Sequence, residues 1–434
     1  MLAGIQGILG VAVILLFAWA ISENRGEVRW KSVALTLLAQ IVLAVILLKV
    51  EFIYKVLQAL STVFDGIQAA TMEGTRFVFG FLGSDPSVFP EDFPFVLSDA
   101  NYVPMFAFVI LPQILIFSIL VAMFWHWGIL PRIIKGIAWV MQRSLHIGGA
   151  VGLAASASLF VGMVESPLVI RAYLNSLSRS EFFMVLTCGM ATVAGSIMGL
   201  YAAILGDVLD DAIGHIITAS MINIFGAILI ARIMIPGDKV TGVEEMSEEG
   251  LSYDSTVDAI TTGTTFGVRL VVNVCAMLIA LISLVAIVNL LIGWVDTSIR
   301  DWFFVPVGED YESLTLATIM GWVFAPIAWT MGVEWADAAA AGSLLGTKLV
   351  LNELVAYFQL GDVGGTLQPH TNLIMTYALC GFTNLGSVGI LIGGVSTIVP
   401  ERRDELLQLG PRTLISGTMV AMLTGTLAGL INLF

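Results

Sequence analysis

The sequence predicts an all-α polytopic membrane protein, and three observations support this fold class. Of its 434 residues, 58% are apolar and 12% are Asp, Glu, Lys or Arg, about half the charged share of a globular protein. The mean hydropathy is +0.94, and apolar stretches long enough to cross a bilayer recur along the chain. The net charge of −14 argues against nucleic acid as a partner, so the lipid bilayer is the predicted surrounding.

Residues 1–100 are predicted to form N-terminal spans and an interfacial helix that act as a scaffold. Residues 3–22 and 31–48 are apolar over the length that a bilayer requires. Residues 51–82 interleave charged side chains with aliphatic and aromatic ones, which favours an amphipathic helix at the membrane surface. Residues 84–104 contain four acids, four prolines and no basic residue, so we expect this stretch outside.

A first repeat is predicted over residues 104–235. Its elements are a span, a short basic helix, a hairpin and two further spans. They occupy residues 105–127, 129–141, 147–176, 182–206 and 214–235.

A linker with an interfacial helix is predicted over residues 236–267, and a second repeat over residues 268–434. The linker contains the longest polar run of the chain. The second repeat begins with a span at 268–295 and contains a second hairpin at 336–360.

Basic residues set the expected orientation. Two groups of basic residues are expected on the cytoplasmic side: Arg132, Lys135 and Arg143, and Arg402, Arg403 and Arg412. The positive-inside rule then places the N-terminus outside. Arg300 alone departs from this pattern.

The stretch around Glu165 is the first candidate binding site. A carboxylate at membrane depth costs roughly 2.5–3.5 kcal/mol on insertion scales, so it normally faces protein or a water-filled cavity. Gly162 and Pro167 interrupt a helix on either side of this acid. Irregular backbone at that depth is tolerated only where it is buried or lines a cavity. The alternative is a surface loop between two ordinary spans.

An internal echo supports a second candidate acid, Glu353. The stretch Ile137-Ala-Trp-Val-Met141 lies before Glu165, with 26 residues from Trp139 to the acid. The stretch Ile327-Ala-Trp-Thr-Met331 lies before Glu353, with 24 residues from Trp329. The expected topology puts the two on opposite sides, which predicts an inverted repeat with its site at the midplane.

Several motifs together resemble the concentrative nucleoside transporter family. The resemblance runs over nearly the whole chain and rests on six stretches. They are Glu73-Gly-Thr-Arg-Phe-Val-Phe-Gly80, Gly162-Met-Val-Glu-Ser-Pro-Leu-Val-Ile-Arg171, Ala191-Thr-Val-Ala-Gly-Ser-Ile-Met-Gly199, Ile327-Ala-Trp-Thr-Met-Gly-Val333, Gly346-Thr-Lys-Leu-Val-Leu-Asn-Glu353 and Ala378-Leu-Cys-Gly-Phe-Thr-Asn-Leu-Gly-Ser387.

This resemblance implies a cation-coupled nucleoside importer, a homotrimer with a mobile transport domain that works as an elevator. It implies about eight transmembrane helices plus two re-entrant helical hairpins, some of the helices being interrupted. That count fits if residues 316–331 form an interfacial helix and 336–360 the second hairpin. A bacterial member would lie in the inner (plasma) membrane as a multi-pass protein.

The resemblance also implies roles for individual residues. The tip of the first hairpin would contact the nucleobase, together with one residue of the next helix: Gly162, Met163, Val164, Glu165 and Ile197. The second group would hold the ribose: Glu353, Asn384 and Ser387, with Phe382 packed nearby. A carboxylate, an amide and a hydroxyl can satisfy vicinal hydroxyls, which both donate and accept hydrogen bonds.

The chain departs from the family pattern at the hairpin tip. Met163 and Val164 stand where the family usually has Gln and Thr or Ser. We therefore expect the base to be read by shape and apolar contact, with poor discrimination among bases or a preference for purines.

The coupling cation is either H⁺ or Na⁺, and no other cofactor is expected. Sodium-coupled members bind the ion at positions that match Ser158, Val161, Thr192 and Val193. Because Ser158 replaces the Asn usual in those members, and because Glu165 or Glu353 can carry a proton, the sequence favours the proton.

Two other functions remain open from the sequence. An elevator-type carrier for another small polar solute is one, although an anionic solute would want arginines and the midplane stretches offer acids. An integral membrane enzyme is the other, but the four histidines are scattered and no hydrolase or metalloprotease motif is present. Lys348 could also pair with Glu353 in a purely structural role.

Overall fold

The computed structural model describes residues 2–83, 106–109, 111–206, 209, 211–237, 240–241, 252–302 and 313–434. Within these ranges the regular structure is helical, which confirms the all-α class. The predicted outer stretch 84–104 and most of the polar linker lie outside the described residues.

The N-terminal part consists of two spans followed by one long amphipathic helix. These helices are α1 (Leu2–Ala20), α2 (Trp30–Lys49) and α3 (Glu51–Phe79). A short helix, α4 (Phe106–Val109), leads into the span α5 (Pro112–His126). The bounds of α1 to α3 lie within a few residues of those predicted.

Six helices follow in the region predicted as the first repeat. They are α6 (Ile129–Leu145), α7 (Gly149–Ala157), α8 (Glu165–Leu168), α9 (Arg179–Ala191), α10 (Gly195–Leu205) and α11 (Ala212–Met234). The predicted span 182–206 is therefore broken into α9 and α10. At its start, Ser178 and Glu181 form a capping box that fixes the first turn of α9.

The next helix, α12 (Thr256–Trp302), is a single helix of 47 residues. The sequence assigned 256–267 to the linker with its interfacial helix, and this boundary is wrong because the helix runs through it. Gly263 and Gly267 act as contact points and not as breaks. A Cβ on either would lie 2.9 Å from a backbone Cα of α5, at Ile119 and Leu115. Glycines thus let α5 and α12 approach closely.

The last six helices repeat the order of α6 to α11. They are α13 (Leu316–Thr330), α14 (Trp335–Val350), α15 (Glu353–Val363), α16 (Pro369–Leu379), α17 (Leu385–Ile398) and α18 (Arg403–Asn432). In both series one helix precedes a pair of helices, then a broken helix, then a long one. The inverted relation between the two series stays a prediction.

Seven helical stretches of the described chain are long and apolar enough to cross a membrane, and eight if α13 and α14 count as one span bent by 119°. The sequence instead assigns α13 to the membrane surface and α14 to a hairpin, with α16 and α17 as the eighth span. The polytopic class holds under either assignment.

The long helices α11 and α18 pack on each other and on α9, α16, α1 and α2, and form the centre of the molecule. Helix α10 packs against α5, where a Cβ on Gly199 would lie 2.5 Å from the Phe117 ring. The broken helix α9–α10 therefore lies between the central pair and α5, and the broken helix α16–α17 packs on α18.

An ion-pair network joins the loop after α1 to the starts of α9 and α18. Arg179 donates to both carboxylate oxygens of Glu23, at 2.8 and 3.1 Å, and approaches Glu405 at 3.5 Å. Arg412 also lies 3.2 Å from Glu23. The hydrogen bond from Arg179, with the charges of both arginines, holds the pKa of Glu23 below its ordinary value.

Candidate functional site

Two helix breaks meet near the centre of the molecule. Residues 192–194 separate α9 from α10, and residues 380–384 separate α16 from α17. Gly381 has a φ of +119°, and a Cβ there would lie 2.5 Å from the Ala191 carbonyl oxygen. Only glycine permits both this conformation and this approach.

Glu353 lies beside the second break and is 5% exposed. Its Oε1 accepts a hydrogen bond from the Tyr201 hydroxyl at 2.5 Å, and its Oε2 accepts one from Asn384 Nδ2 at 3.0 Å. Asn384 Oδ1 in turn accepts from the Ser387 backbone N–H at 2.8 Å, which caps α17. The structure thus brings together three of the predicted ribose residues.

The position of Glu353 follows from the local sequence. Asn352 caps α15, because its Oδ1 accepts from the Val355 N–H at 2.9 Å. Glu353 therefore falls in the first turn of α15, where the positive end of the helix dipole favours a carboxylate. The capping asparagine and the acid are adjacent in the sequence for this reason.

Lys348 contacts backbone carbonyls at the end of α16. Its ammonium group donates to the oxygens of Ala378, at 2.9 Å, and Cys380, at 3.4 Å, and the residue is 2% exposed. These hydrogen bonds satisfy the negative end of a helix. They replace the pairing with Glu353 that the sequence left open.

At the tip of the first hairpin, the Glu165 side chain lies close to the backbone of Gly162. The Glu165 carboxylate folds back over Gly162, so that a Cβ on this glycine would overlap Glu165 Oε2. Both Gly162 and Glu165 are half-buried. No other residue than glycine leaves room for the acid in this position.

Met163 and Val164 both pack against glycines of neighbouring helices. Met163 is buried, and its Cα and Cβ lie 3.2 Å from the position of a Cβ on Gly189 of α9. Val164 is half-buried, and its two methyl groups lie 2.5 Å from the position of a Cβ on Gly394 of α17. Val164 is thus the closest contact between the hairpin tip and α17 among the described glycine contacts.

Two half-helices connect the hairpin tip with the Glu353 network in opposite directions. Helix α10 begins at the tip, where the Gly195 N–H donates to the Phe160 carbonyl at 3.2 Å, and reaches Glu353 through Tyr201, about 9 Å further along. Helix α17 begins at Asn384 in the network and reaches the tip at Gly394, about 15 Å further along. Two half-helices, α10 and α17, therefore connect the two ends of the candidate site.

Ile197 lies between these two ends, and Phe382 lies at the Glu353 end. Ile197 is 9% exposed and stands one turn before Tyr201, on the same face of α10. Phe382 lies in the second break and is half-buried, and its carbonyl accepts from Asn384 Nδ2 at 3.4 Å.

The predicted sodium ligands are buried where the hairpin tip meets the first break. Ser158 Oγ donates to the Ala155 carbonyl at 2.8 Å, and Thr192 Oγ1 donates to the Cys188 carbonyl at 2.9 Å. Each hydroxyl keeps lone pairs with which to accept, and such oxygens suit a hard cation. The four residues are Ser158, Val161, Thr192 and Val193.

Two residues of the site were missed by sequence reasoning. Tyr201 holds Glu353, and its spacing of four from Ile197 is the only signal that the sequence offers. Asn223 of α11 bridges the two breaks and reads in the sequence as one polar residue in an apolar span.

Comparison with known proteins identifies the family. Three family profiles match: "Na+ dependent nucleoside transporter N-terminus" over residues 9–82, "Nucleoside recognition" over residues 107–208, and "Na+ dependent nucleoside transporter C-terminus" over residues 215–429.

Similar whole proteins agree. The nucleoside permease NupC of Helicobacter pylori is 31% identical, with 98% of this chain and 96% of that protein covered. The mouse sodium/nucleoside cotransporter 1 is 30% identical over 97% of this chain and 63% of its own length. The structure of CNTnw in an inward-facing substrate-bound state superposes with a TM-score of 0.87 at 32% identity, covering 100% of this chain and 98% of that one. The chain therefore belongs to the Na⁺-dependent, or concentrative, nucleoside transporter family, and it is a nucleoside transporter and not an enzyme.

Proposed function

We propose that this protein is a secondary active nucleoside importer of the bacterial inner membrane, coupled to a cation and operating by elevator-type alternating access. Bacterial relatives named as nucleoside permeases support the compartment and the class of solute. The protein acts as a homotrimer with its N-terminus outside. The observation that carries the proposal is the buried Glu353 carboxylate held by Tyr201 and Asn384.

The ribose binds at the Glu353 network. Glu353 and Asn384 are oriented by hydrogen bonds that leave the remaining lone pairs of the carboxylate for a sugar hydroxyl. A site built to pair with a hydroxyl rejects an analogue that lacks it, because its own buried groups then stay unpaired. We therefore expect strong discrimination against sugars that lack the contacted hydroxyl.

The nucleobase binds toward the hairpin tip, near Val164 and Ile197. The spacing of the two ends along α17, about 15 Å, leaves room for a sugar at one end and a base at the other. Because Met163 and Val164 offer no hydrogen-bonding side chain beyond a weak thioether, the base is read mainly by shape.

For the coupling cation we favour the proton over sodium. The names of the family profiles and of the mouse relative support sodium. Ser158, however, supplies a hydroxyl where sodium-coupled members usually carry an amide. The two acids of the site, Glu165 and Glu353, supply groups that can carry a proton instead.

Uptake of labelled nucleoside into proteoliposomes tests the proposal. The expected result is accumulation driven by an inward proton gradient, abolished by a protonophore and by Glu353→Ala. Accumulation that ignores the protonophore but requires sodium would reverse the choice of cation. Absence of accumulation under every imposed gradient would overturn the importer itself.

A further inference from the structure

The side chain of Asn223 connects the two helix breaks directly. Its Nδ2 donates to the Ala191 carbonyl at 2.8 Å and to the Cys380 carbonyl at 3.2 Å. These carbonyls are the last groups of the first broken helix and the first of the second break. Asn223 is fully buried, and its Oδ1 has no partner among the described residues, so the amide is held by these two donations alone.

A second residue of α11 repeats this bridge one turn earlier. Ser220 Oγ accepts from the Val193 backbone N–H at 3.4 Å and lies 3.5 Å from Cys380 Sγ. Ser220 is also fully buried. One face of α11 therefore binds both breaks through two consecutive polar side chains.

Each bridged carbonyl is next to residues of a different part of the proposed site. Ala191 directly precedes Thr192 and Val193, the candidate cation ligands. Cys380 is followed within four residues by Phe382 and Asn384, on the ribose side. The only other side chain that donates to the Cys380 carbonyl in the described contacts is Lys348, and it contacts the second break alone.

We propose that Asn223 is a positioning residue that couples cation binding at the first break, by a proton on Glu165 at the adjoining hairpin tip or by sodium at Thr192 and Val193, to nucleoside binding at the second. The inference rests on the proposed function, because it needs both sites to be occupied during transport. If one break shifts when its ligand binds, a hydrogen bond to Asn223 stretches unless the other break follows. A buried carbonyl or amide left without its partner is costly, so the two breaks move together.

Such coupling is reciprocal and measurable. Linkage requires that the cation strengthen nucleoside binding by the same factor as the nucleoside strengthens cation binding. Nucleoside dissociation constants of the purified full-length protein are measured at low and high proton concentration, each with and without sodium. The ratio between the weakest and tightest condition is the coupling factor, which we expect at roughly 5- to 150-fold for the wild type.

Asn223→Leu removes both donated hydrogen bonds and keeps the number and branching of the side-chain heavy atoms, and Gln40→Leu is its control. Gln40 of α2 is another fully buried amide that contacts α11. Its Nε2 donates to the Ile222 carbonyl at 3.5 Å, and none of its described hydrogen bonds reaches either break. We expect the coupling factor of Asn223→Leu to fall below about threefold, with tight-condition binding weakened and the weakest-condition value little changed. Gln40→Leu keeps the wild-type factor, whatever it does to thermal stability.

The outcomes separate the two proposals. A wild type without any cation-dependent affinity overturns the coupled importer and this inference together. A wild type with coupling and an Asn223→Leu variant with the same factor overturns only the role of Asn223. If Asn223→Leu does not fold, Ser220→Ala carries the test. It removes the acceptor of the Val193 N–H, so a partial fall of the factor supports the bridge, and an unchanged factor contradicts it.

Discussion

The two ends of the candidate site are built from different materials. At the Glu353 end, side chains from three helices hydrogen-bond to one another: Tyr201, Glu353 and Asn384. At the hairpin tip, the Glu165 carboxylate lies over Gly162, and Val164 packs against Gly394 of α17. One end is defined by hydrogen bonds, the other by close apolar contact.

This difference predicts how each end treats its ligand. Fixed, buried hydrogen-bonding groups discriminate strongly, because a mismatched ligand leaves them unpaired. Apolar surfaces discriminate by size and shape, and a single methyl or methylene changes affinity only modestly. The sugar should therefore be selected strictly and the base loosely, and the following changes challenge or refine this contrast.

The largest effect is expected from Glu353→Gln. The substitution keeps the volume but gives Asn384 an amide where it now donates to a carboxylate, and it removes the charge. We expect the ratio of maximal uptake rate to KM to fall more than about 100-fold, as for sites that lose a required polar partner. Uptake of labelled nucleoside into proteoliposomes measures this. Glu334→Gln, an exposed acid just before the same hairpin, is the control and should transport normally.

A smaller effect is expected from Gly394→Ala at the other end. The new Cβ would lie 2.5 Å from both methyl groups of Val164 and would push the hairpin tip from α17. Overpacking of this kind costs roughly 1–3 kcal/mol, so we expect KM to rise about tenfold with ribose selectivity intact. The adjacent Gly393 has no atom within 4 Å of its Cβ position, so Gly393→Ala is the matched control. Equal effects of both substitutions would show that the tip contact is unimportant.

Much of this contrast was predictable from the sequence. The repeated Ile-Ala-Trp stretch marks Glu353, and the glycine and proline around Glu165 mark the tip. Tyr201 was not predictable as a site residue, because its role depends on a partner 152 residues further along the chain. Asn223 reads in the same way as any polar residue that joins two membrane helices.

The start of α12 was not predicted from the sequence for a related reason. The longest polar run of the chain predicts a linker before the span, but Gly263 and Gly267 serve a contact that only the partner helix reveals. Sequence patterns report the properties of one segment. They identify which residues are unusual at membrane depth, and not which distant group satisfies them.

A change of selectivity and not of rate is expected from Val164→Thr. The hydroxyl restores one hydrogen-bonding group at the tip with little change of volume. We expect the inhibition constants of unlabelled nucleosides whose bases differ in hydrogen-bonding pattern to diverge by about fivefold, near 1 kcal/mol. Discrimination against deoxyribose analogues should stay constant. Val185→Thr, the same change at a buried valine of α9 outside the candidate site, controls for a general effect of an added hydroxyl. Unchanged base competition in Val164→Thr would place the base elsewhere.

The smallest effect concerns stability, far from both ends of the site. The pKa of Glu23 is held below its ordinary 4.5 by Arg179, so its ion pairs stabilise the fold fully above that pH and weaken as the pH falls through the lowered value. We expect the melting temperature to decline below about pH 4.5, by a contribution of about 1 kcal/mol or less. Glu23→Gln should reduce this acid-side decline. An equally steep decline in the variant would assign it to other groups.

The packing of α5 against α12 and α10 limits which residues these contacts can contain. In lipid, helices associate mainly through close packing, and Gly263 and Gly267 let α12 approach α5 closely. A hydrogen bond from Trp127 Nε1 to Thr256 Oγ1, at 3.1 Å, also joins the end of α5 to the start of α12. Phe117 of α5 rests on Gly199 of α10. Because a Cβ on Gly199 would overlap this ring, α10 can lie this close to α5 only while residue 199 is a glycine.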